Sequence, residues 1–371
     1  MPTRKPSSPI VRYAVVGQGY IAQAAVLPAF AHARRNSRLV ALVSGDLAKR
    51  RELGKKYGVA TYSYEEYETC LGSGDVDAVY IALPNSMHRE YTVRAAECGV
   101  HVLCEKPLAV TEEDCKAMIA ACRRRKVKLM TAYRLHFERA TLQALRDTGS
   151  KGVIGEPRIF VSSFTMNVEP PNIRLESKMG GGTLYDIGTY CINAARHLFR
   201  AEPIEVDCVA VEGGKKQGDV EESASCILRF PGDRLASFTV SFGTDKTSEY
   251  RVIGTKGSMR VEPGYELASG LELHITRGGK KRTVKYKKRD QFAPELLHFS
   301  DCILEGRDPE PSGEEGLADV RVIRALYRSA STGRRVKLGA RRERRQPTMR
   351  QEDTRPPVRM PRLVNATPPS G

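Results

Sequence analysis

Through the first third of the chain, short apolar runs alternate with stretches of helical spacing. Residues 11–16, VRYAVV, carry the continuous apolar and β-branched pattern of a buried strand. The run ends in Gly17-Gln18-Gly19-Tyr20-Ile21-Ala22, and a helical pattern follows to residue 33. Further strands are expected at 38–44, 78–83, 101–104 and 128–131. Helices are expected at 47–57, 63–71, 89–98 and 111–125. Gly58 and Gly99 stand where two of these helices should stop, and Thr111 with Asp114 three residues on makes a capping pair. Strand and helix alternate every ~20–30 residues, the rhythm of crossovers that build a parallel sheet with helices on both faces.

A helix at 138–147 is expected to bridge to a second half with a different rhythm. Segments 158–165, 204–212, 222–230, 236–244, 249–254, 257–263, 271–277 and 282–287 alternate apolar with polar residues. Glycine-containing turns at 213–214, 231–233 and 278–279 separate them. The pattern predicts a mostly antiparallel sheet with one face wet. Helices at 184–199 and 292–305 interrupt it, and one at 314–332 closes it. The expected organisation is a flexible start at 1–10 and a doubly wound α/β domain at 11–135. An α+β domain follows at 136–338, its last helix packing back on the first domain, and then a tail at 339–371.

With 371 residues the chain exceeds the ~250–300 at which a single core stops growing, which also suggests two domains. No stretch approaches the ~18 apolar residues a membrane span needs. The first ten residues lack the apolar core of a secretory signal, so a cytoplasmic protein is expected. Nine cysteines at 70, 98, 104, 115, 122, 191, 208, 226 and 302 include no Cys-x-x-Cys pair, so no metal is expected and the thiols read as reduced and structural. The net charge is +16. The tail holds eight arginines against Glu343, Glu352 and Asp353, hence +5 of that total. It is rich in Pro and Arg without apolar periodicity, which predicts disorder. A nucleic-acid role for it is the weaker reading beside a solvated extension.

The chemistry concentrates at strand ends. Gly17-x-Gly19-x-x-Ala22 joins a strand to a helix, with glycine for the tight turn, glycine for close approach to a pyrophosphate, and a small residue for helix packing. The end of the second strand reads Val43-Ser44-Gly45-Asp46, with Lys49, Arg50 and Arg51 behind it. A serine hydroxyl and cations suit a 2′-phosphate, hence NADP. Asp46 could instead take the ribose hydroxyls of NAD. Pro84-Asn85 with His88, and Glu105-Lys106 before Pro107, follow the third and fourth strands and should face one crevice. Gly180-Gly181-Gly182 leads into a helix on which Asp186 and Tyr190 share a face that Asn193 and His197 continue.

Taken together, Gly17-x-Gly19-x-x-Ala22, Pro84-Asn85-x-x-His88, Glu105-Lys106-Pro107, Tyr133-Arg134 and Gly180-Gly181-Gly182-x-x-x-Asp186-x-Gly188-x-Tyr190 resemble the glucose–fructose oxidoreductase / inositol dehydrogenase / rhizopine catabolism (GFO/IDH/MocA) family over about 11–338. The resemblance implies a Rossmann domain followed by an open-faced sheet often used in dimer or tetramer contacts. It implies an NADP-dependent sugar or polyol oxidoreductase. Pentose, inositol or trans-dihydrodiol oxidation, or a catalytically silent NADP sensor, are the alternatives.

The family's catalytic lysine falls on Lys106 and its aspartate on Asp186. Tyr190 stands where many members have histidine, as in the glucose–fructose oxidoreductase branch. Tyr190 is then the expected acid/base, since a neighbouring ammonium favours the phenolate of a tyrosine. The expected cofactor contacts are Gly17, Gly19, Tyr20, Ile21, Ser44, Gly45, Lys49, Pro84, Asn85, His88, Glu105, Lys106, Arg134 and Arg174. Ile173-Arg174 replaces the Trp-Arg pair of many members, which questions an aromatic pocket wall. The cofactor-clasping N-terminal arm of the periplasmic enzyme has no counterpart, so free exchange of cofactor is expected.

Overall fold

A computed structural model describes residues 9–214, 218–339 and 346–368. The first half builds a six-stranded sheet from β1 (Val11–Val16), β2 (Ser37–Val43), β3 (Ala60–Tyr62), β4 (Ala78–Ile81), β5 (His101–Glu105) and β6 (Leu129–Ala132). The order is β3-β2-β1-β4-β5-β6 and every pairing is parallel. The direction of winding reverses between β1 and β4, which opens a crevice beyond their carboxyl ends.

A parallel sheet must be covered on both faces. One face packs on α3 (Tyr67–Leu71), α4 (His88–Glu97) and α5 (Glu112–Arg124), with Tyr91, Cys115 and Met118 in its core. The other face meets a π turn, Ala22–Val26, running into the short α1 (Leu27–Ala29), and Leu53 of α2 (Leu47–Tyr57). That cover is small, and α8 (Ala293–Leu304), far along the chain, completes it. Leu296, Leu297 and Phe299 enter the same core, and the Tyr13 hydroxyl bonds Ser300 Oγ at 2.8 Å. Packing therefore crosses the boundary expected at residue 135: α8 falls among the strands of the second half in the chain but packs on the first sheet.

The second half, joined through α6 (Arg139–Asp147), is a nine-stranded sheet. Its strands are β7 (Pro157–Asn167), β8 (Glu205–Glu212), β9 (Glu221–Phe230), β10 (Arg234–Ser241), β11 (Gly243–Gly254), β12 (Gly257–Glu262), β13 (Leu271–Arg277), β14 (Lys280–Tyr286) and β15 (Val336–Lys337). The order is β14-β13-β12-β11-β7-β10-β9-β8-β15, antiparallel throughout except for the parallel β7–β10 pair. One face packs on α7 (Thr189–Phe199) and α9 (Gly313–Thr332). The other leaves Ile159, Val161, Val209, Val211, Ile227 and Leu235 exposed. Helix α9 serves both halves: Leu317 and Val320 enter the first core, Val322, Ile323 and Leu326 the second.

The tail departs from the disorder expected of it. Within 346–368, Gln351 Nε2 donates to Glu310 Oε2 at 2.6 Å, Arg289 pairs with Glu352 at 3.1 Å, and the Asp290 amide donates to the Arg355 carbonyl at 3.3 Å. Val364 is buried against the first domain. The segment lacks a core of its own, but charge pairs, backbone bonds and one apolar anchor fasten it to a surface already built. Residues 340–345 and 369–371 of the tail, and 1–8 of the N-terminal segment, lie outside the described residues. Among the described residues no helix is long and apolar enough to cross a membrane.

Candidate active site

The crevice at the winding reversal deepens into a cavity of about 510 Å³ shared by both halves. Gly17 turns the chain at φ +88°, and a Cβ there would meet the Ala82 carbonyl oxygen at 2.5 Å. At Gly19 an added Cβ would meet nothing within 4 Å, so the loop's backbone borders open space. The chain enters its helix directly afterwards, with the amide groups of the first turn available to an anion. These features fit a dinucleotide pyrophosphate. Tyr20, Ile21, Ser44, Gly45 and Lys49 line the same cavity. Ser44 Oγ accepts the Asp46 amide at 3.2 Å, which leaves its own proton free to donate.

Lys106 follows Glu105, the last residue of β5, and its ammonium crosses to the second half. Nζ donates to the Asp186 carbonyl oxygen at 2.7 Å and to Asp186 Oδ1 at 3.3 Å. It lies 4.4 Å from the centre of the Tyr190 ring, while the Arg134 guanidinium lies 5.0 Å from that ring. Arg174 Nε donates to Asp186 Oδ2 at 2.7 Å. Burial opposes charge on Asp186, but Arg174 and Lys106 outweigh it and hold its carboxyl down to about 2. Burial also opposes charge on Lys106, yet Tyr190, Asp186 and Glu105 hold its pKa above the ordinary lysine value. The ammonium therefore persists through neutral pH, with one of its three donors left for a ligand.

Burial raises the Glu105 carboxyl, which accepts from the Tyr80 hydroxyl at 2.7 Å. Asn85 Nδ2 donates to the Gly180 carbonyl at 2.8 Å, tying the strand-end loop to the triple glycine. Gly180 holds φ +78°, and a Cβ there would sit 2.7 Å from Asn85 Cβ. Pro84, Asn85, Glu105, Lys106, Arg134, Arg174, Asp186 and Tyr190 all line the cavity.

Residues 11–133 match the GFO/IDH/MocA oxidoreductase family with its NAD-binding Rossmann fold, and residues 142–260 match that family's C-terminal domain. A D-xylose 1-dehydrogenase [NADP(+)] of Haloarcula marismortui is 32% identical over 88% of this chain and 93% of its own length. This chain belongs to the GFO/IDH/MocA oxidoreductase family. Among solved structures, an aldose-aldose oxidoreductase from Caulobacter crescentus complexed with glycerol superposes with a TM-score of 0.84 at 38% identity, covering 89% of this chain and all of that one. A 3-ketoreductase from Actinomadura kijaniata in complex with NADP and TDP-benzene superposes with a TM-score of 0.78 at 27% identity, covering 86% and 98%.

In this family member one expected cofactor contact lies elsewhere. His88 is fully buried, its ring nitrogens 3.0 and 2.9 Å from the Pro107 and Leu83 carbonyls, and burial holds its pKa below the ordinary imidazole value. It fastens the Pro84 loop to the Lys106 loop and does not line the cavity. Asn193 and His197 are also buried away from it, bonded to Asp319 and Glu315 of α9 at 2.9 and 3.0 Å. Arg134 reaches the cavity, but its guanidinium donates to the Tyr265 carbonyl and to Gln291. Arg174 sits on Asp186.

Sequence reasoning missed the aromatic wall. Phe164 of β7 and Tyr265 stack at 5.2 Å, and both contact Tyr190, at 5.8 and 5.9 Å between ring centres. The sheet thus supplies the aromatic surface that Ile173 does not. The inward phase of β7 could have pointed to Phe164. Tyr265, just past a Pro-Gly turn, carries no comparable signal.

Proposed function

We propose that this protein oxidises a sugar, foremost an aldose at its anomeric carbon, with NADP as hydride acceptor. The observation that carries the reading is the Lys106 ammonium, bonded to Asp186 and stacked on Tyr190 in the cavity that the Gly17-x-Gly19 loop borders. The relatives named D-xylose 1-dehydrogenase and aldose-aldose oxidoreductase support the substrate class. Ser44, just past the end of β2, and Lys49, in the first turn of α2, support NADP over NAD.

The dinucleotide supplies, when bound, a nicotinamide carbon that takes a hydride from the sugar carbinol. The chain's residues manage the proton. Tyr190 acts in its deprotonated form: its phenolate oxygen takes the proton from the sugar hydroxyl as the C–H bond breaks and becomes the neutral phenol. The free donor of Lys106 stabilises the developing negative charge on oxygen. Asp186 keeps the ammonium in place, and Arg174 keeps Asp186 ionised and oriented. Phe164 and Tyr265 pack against the Tyr190 ring and hold it at the cavity wall.

The test is NADPH formation from NADP+ across a panel of aldoses and polyols. Wild type should turn over at least one aldose. Lys106→Met and Tyr190→Phe should each lower kcat/KM by about 10²–10⁴, with NADPH still bound by fluorescence titration. Turnover of Lys106→Met within tenfold of wild type would remove the lysine from the mechanism. The exposed apolar strip on the second sheet supports a further reading, that two copies pair face to face.

A further inference from the structure

The last described residues of the chain return to the cofactor end of the cavity. The Val364 amide donates to Gln23 Oε1 at 2.8 Å, and Gln23 Nε2 donates back to the Val364 carbonyl at 2.8 Å. Gln23 stands in the first turns after the glycine loop, and its Nε2 also donates to the carbonyl of loop residue Gln18 at 2.9 Å. Val364 is 9% exposed and Gln23 1%. One residue on, Asn365 takes φ +46°, a left-handed conformation that asparagine adopts more readily than most residues. The turn aims its Nδ2 at Asp46 Oδ2, 3.0 Å away. Pro368 then forms part of the cavity wall together with Gly17, Ser44 and Lys49. The cavity remains open with this segment in place, so the segment makes its rim and does not fill it.

Asp46 is the residue that left the choice of cofactor open in the sequence. Its Oδ1 accepts the Lys49 amide at 3.1 Å as the cap of α2. Its Oδ2 is taken by Asn365. Both carboxylate oxygens are therefore engaged, so the Lys49 amide and Asn365 compete with the two ribose hydroxyls of NAD for them. The bonds from Asn365 and Lys49 also hold the carboxyl below its ordinary value, so it stays ionised and in need of a donor.

We infer that segment 362–368 is part of the cofactor site, and that Asn365 is a positioning residue that sets the preference for NADP by occupying Asp46. The inference rests on the NADP reading given above. Ser44 and Lys49 meet the 2′-phosphate, Asn365 keeps the neighbouring carboxylate turned to itself, and Pro368 borders the adenosine end. A rim at this end also slows exchange of cofactor, against the free exchange expected from the sequence.

The test measures dissociation constants for NADPH and NADH by fluorescence titration, and NADPH release by stopped flow, in full-length wild type, Asn365→Gly and Val364→Lys. Glycine accepts the positive φ, so Asn365→Gly removes the side-chain bond without straining the turn. Asn365→Gly should shift the NADPH-to-NADH preference toward NADH by about tenfold. Val364→Lys should lift the segment and speed NADPH release by about tenfold or more. A merely structural contact would weaken both dinucleotides alike and leave the ratio unmoved. Unchanged preference and unchanged release, with NADPH bound normally by wild type, would overturn the inference and leave the NADP reading standing. Failure of wild type to bind either dinucleotide would remove both. Preference of wild type for NADH would overturn the inference and the choice of NADP together.

Discussion

Asp186 does the most with the fewest atoms. One oxygen receives Lys106, the other Arg174, and its backbone carbonyl takes a second bond from Lys106. Its carboxyl is held down from 3.8 to about 2. A depressed folded value stabilises the fold above the ordinary carboxylate pKa, and that stabilisation is lost as pH falls toward the folded value. At neutral pH it is on the order of 2 kcal/mol, since a tenfold change in an ionisation equilibrium corresponds to about 1.4 kcal/mol. Wild type should therefore exceed Asp186→Asn in urea unfolding free energy at neutral pH, and the gap should narrow as pH is lowered from 3.8 to 2. A gap that stays constant through that window would mean the ion pairs add nothing to stability. At this scale the motifs were legible because strand ends and glycine loops carry fixed geometry. Lys106, Asp186 and Tyr190 share one cavity, as their positions in the motifs imply. His88 was misread because proximity to a strand end does not tell a ligand contact from a bond that joins two loops.

The elements that were read well have strong ends. Helix α2 runs Leu47–Tyr57 between the Asp46 cap and Gly58 at φ +64°. Strand β3 went unseen because it is only three residues, lies at the sheet edge and is half exposed. The destination of α8 was hidden because periodicity reports that a helix has an apolar side and not which sheet receives it. The contact between α7 and α9 shows how strongly a destination can be fixed. Arg196 of α7, with 2% of its side chain exposed, bonds Glu202 and the fully enclosed Glu315 and Asp319. Removing one partner of such a cluster leaves uncompensated buried charge, at a cost of about 3–5 kcal/mol. Arg196→Ala should lower stability by that amount in urea or thermal unfolding, although Arg196 does not line the cavity. A loss below about 1 kcal/mol would place the cluster in the low range of exposed pairs.

At the scale of the whole molecule, the second sheet has one unsatisfied side. Val161 is 44% exposed and Ile227 51%, and Ser237 of β10 lies between them in register. A second copy laid on this face would bury the strip. Ile227→Lys should then halve the mass seen by light scattering and leave the circular dichroism spectrum unchanged. Wild type eluting as a monomer would end that reading. The tail belongs to this scale as well. Its composition signalled disorder because its anchors are single side chains spread over some twenty residues, which no local pattern reports. The same chain that carries eight arginines past residue 338 also carries Glu352, which pairs with Arg139 and Arg289 of the body.

Helix α9 spends its first turns in one core and its last turns in the other. Each buried leucine, valine or isoleucine it contributes is worth about 1.5–3 kcal/mol, so neither half retains a full interior without it. The nucleotide-binding half severed near residue 135 would also lack α8, and would present raw apolar sheet to solvent. Swapping the substrate half for that of a relative therefore means carrying over a matched pair of helices, because the seam between the halves runs through the middle of α9 and not along the loop where the two sheets are joined.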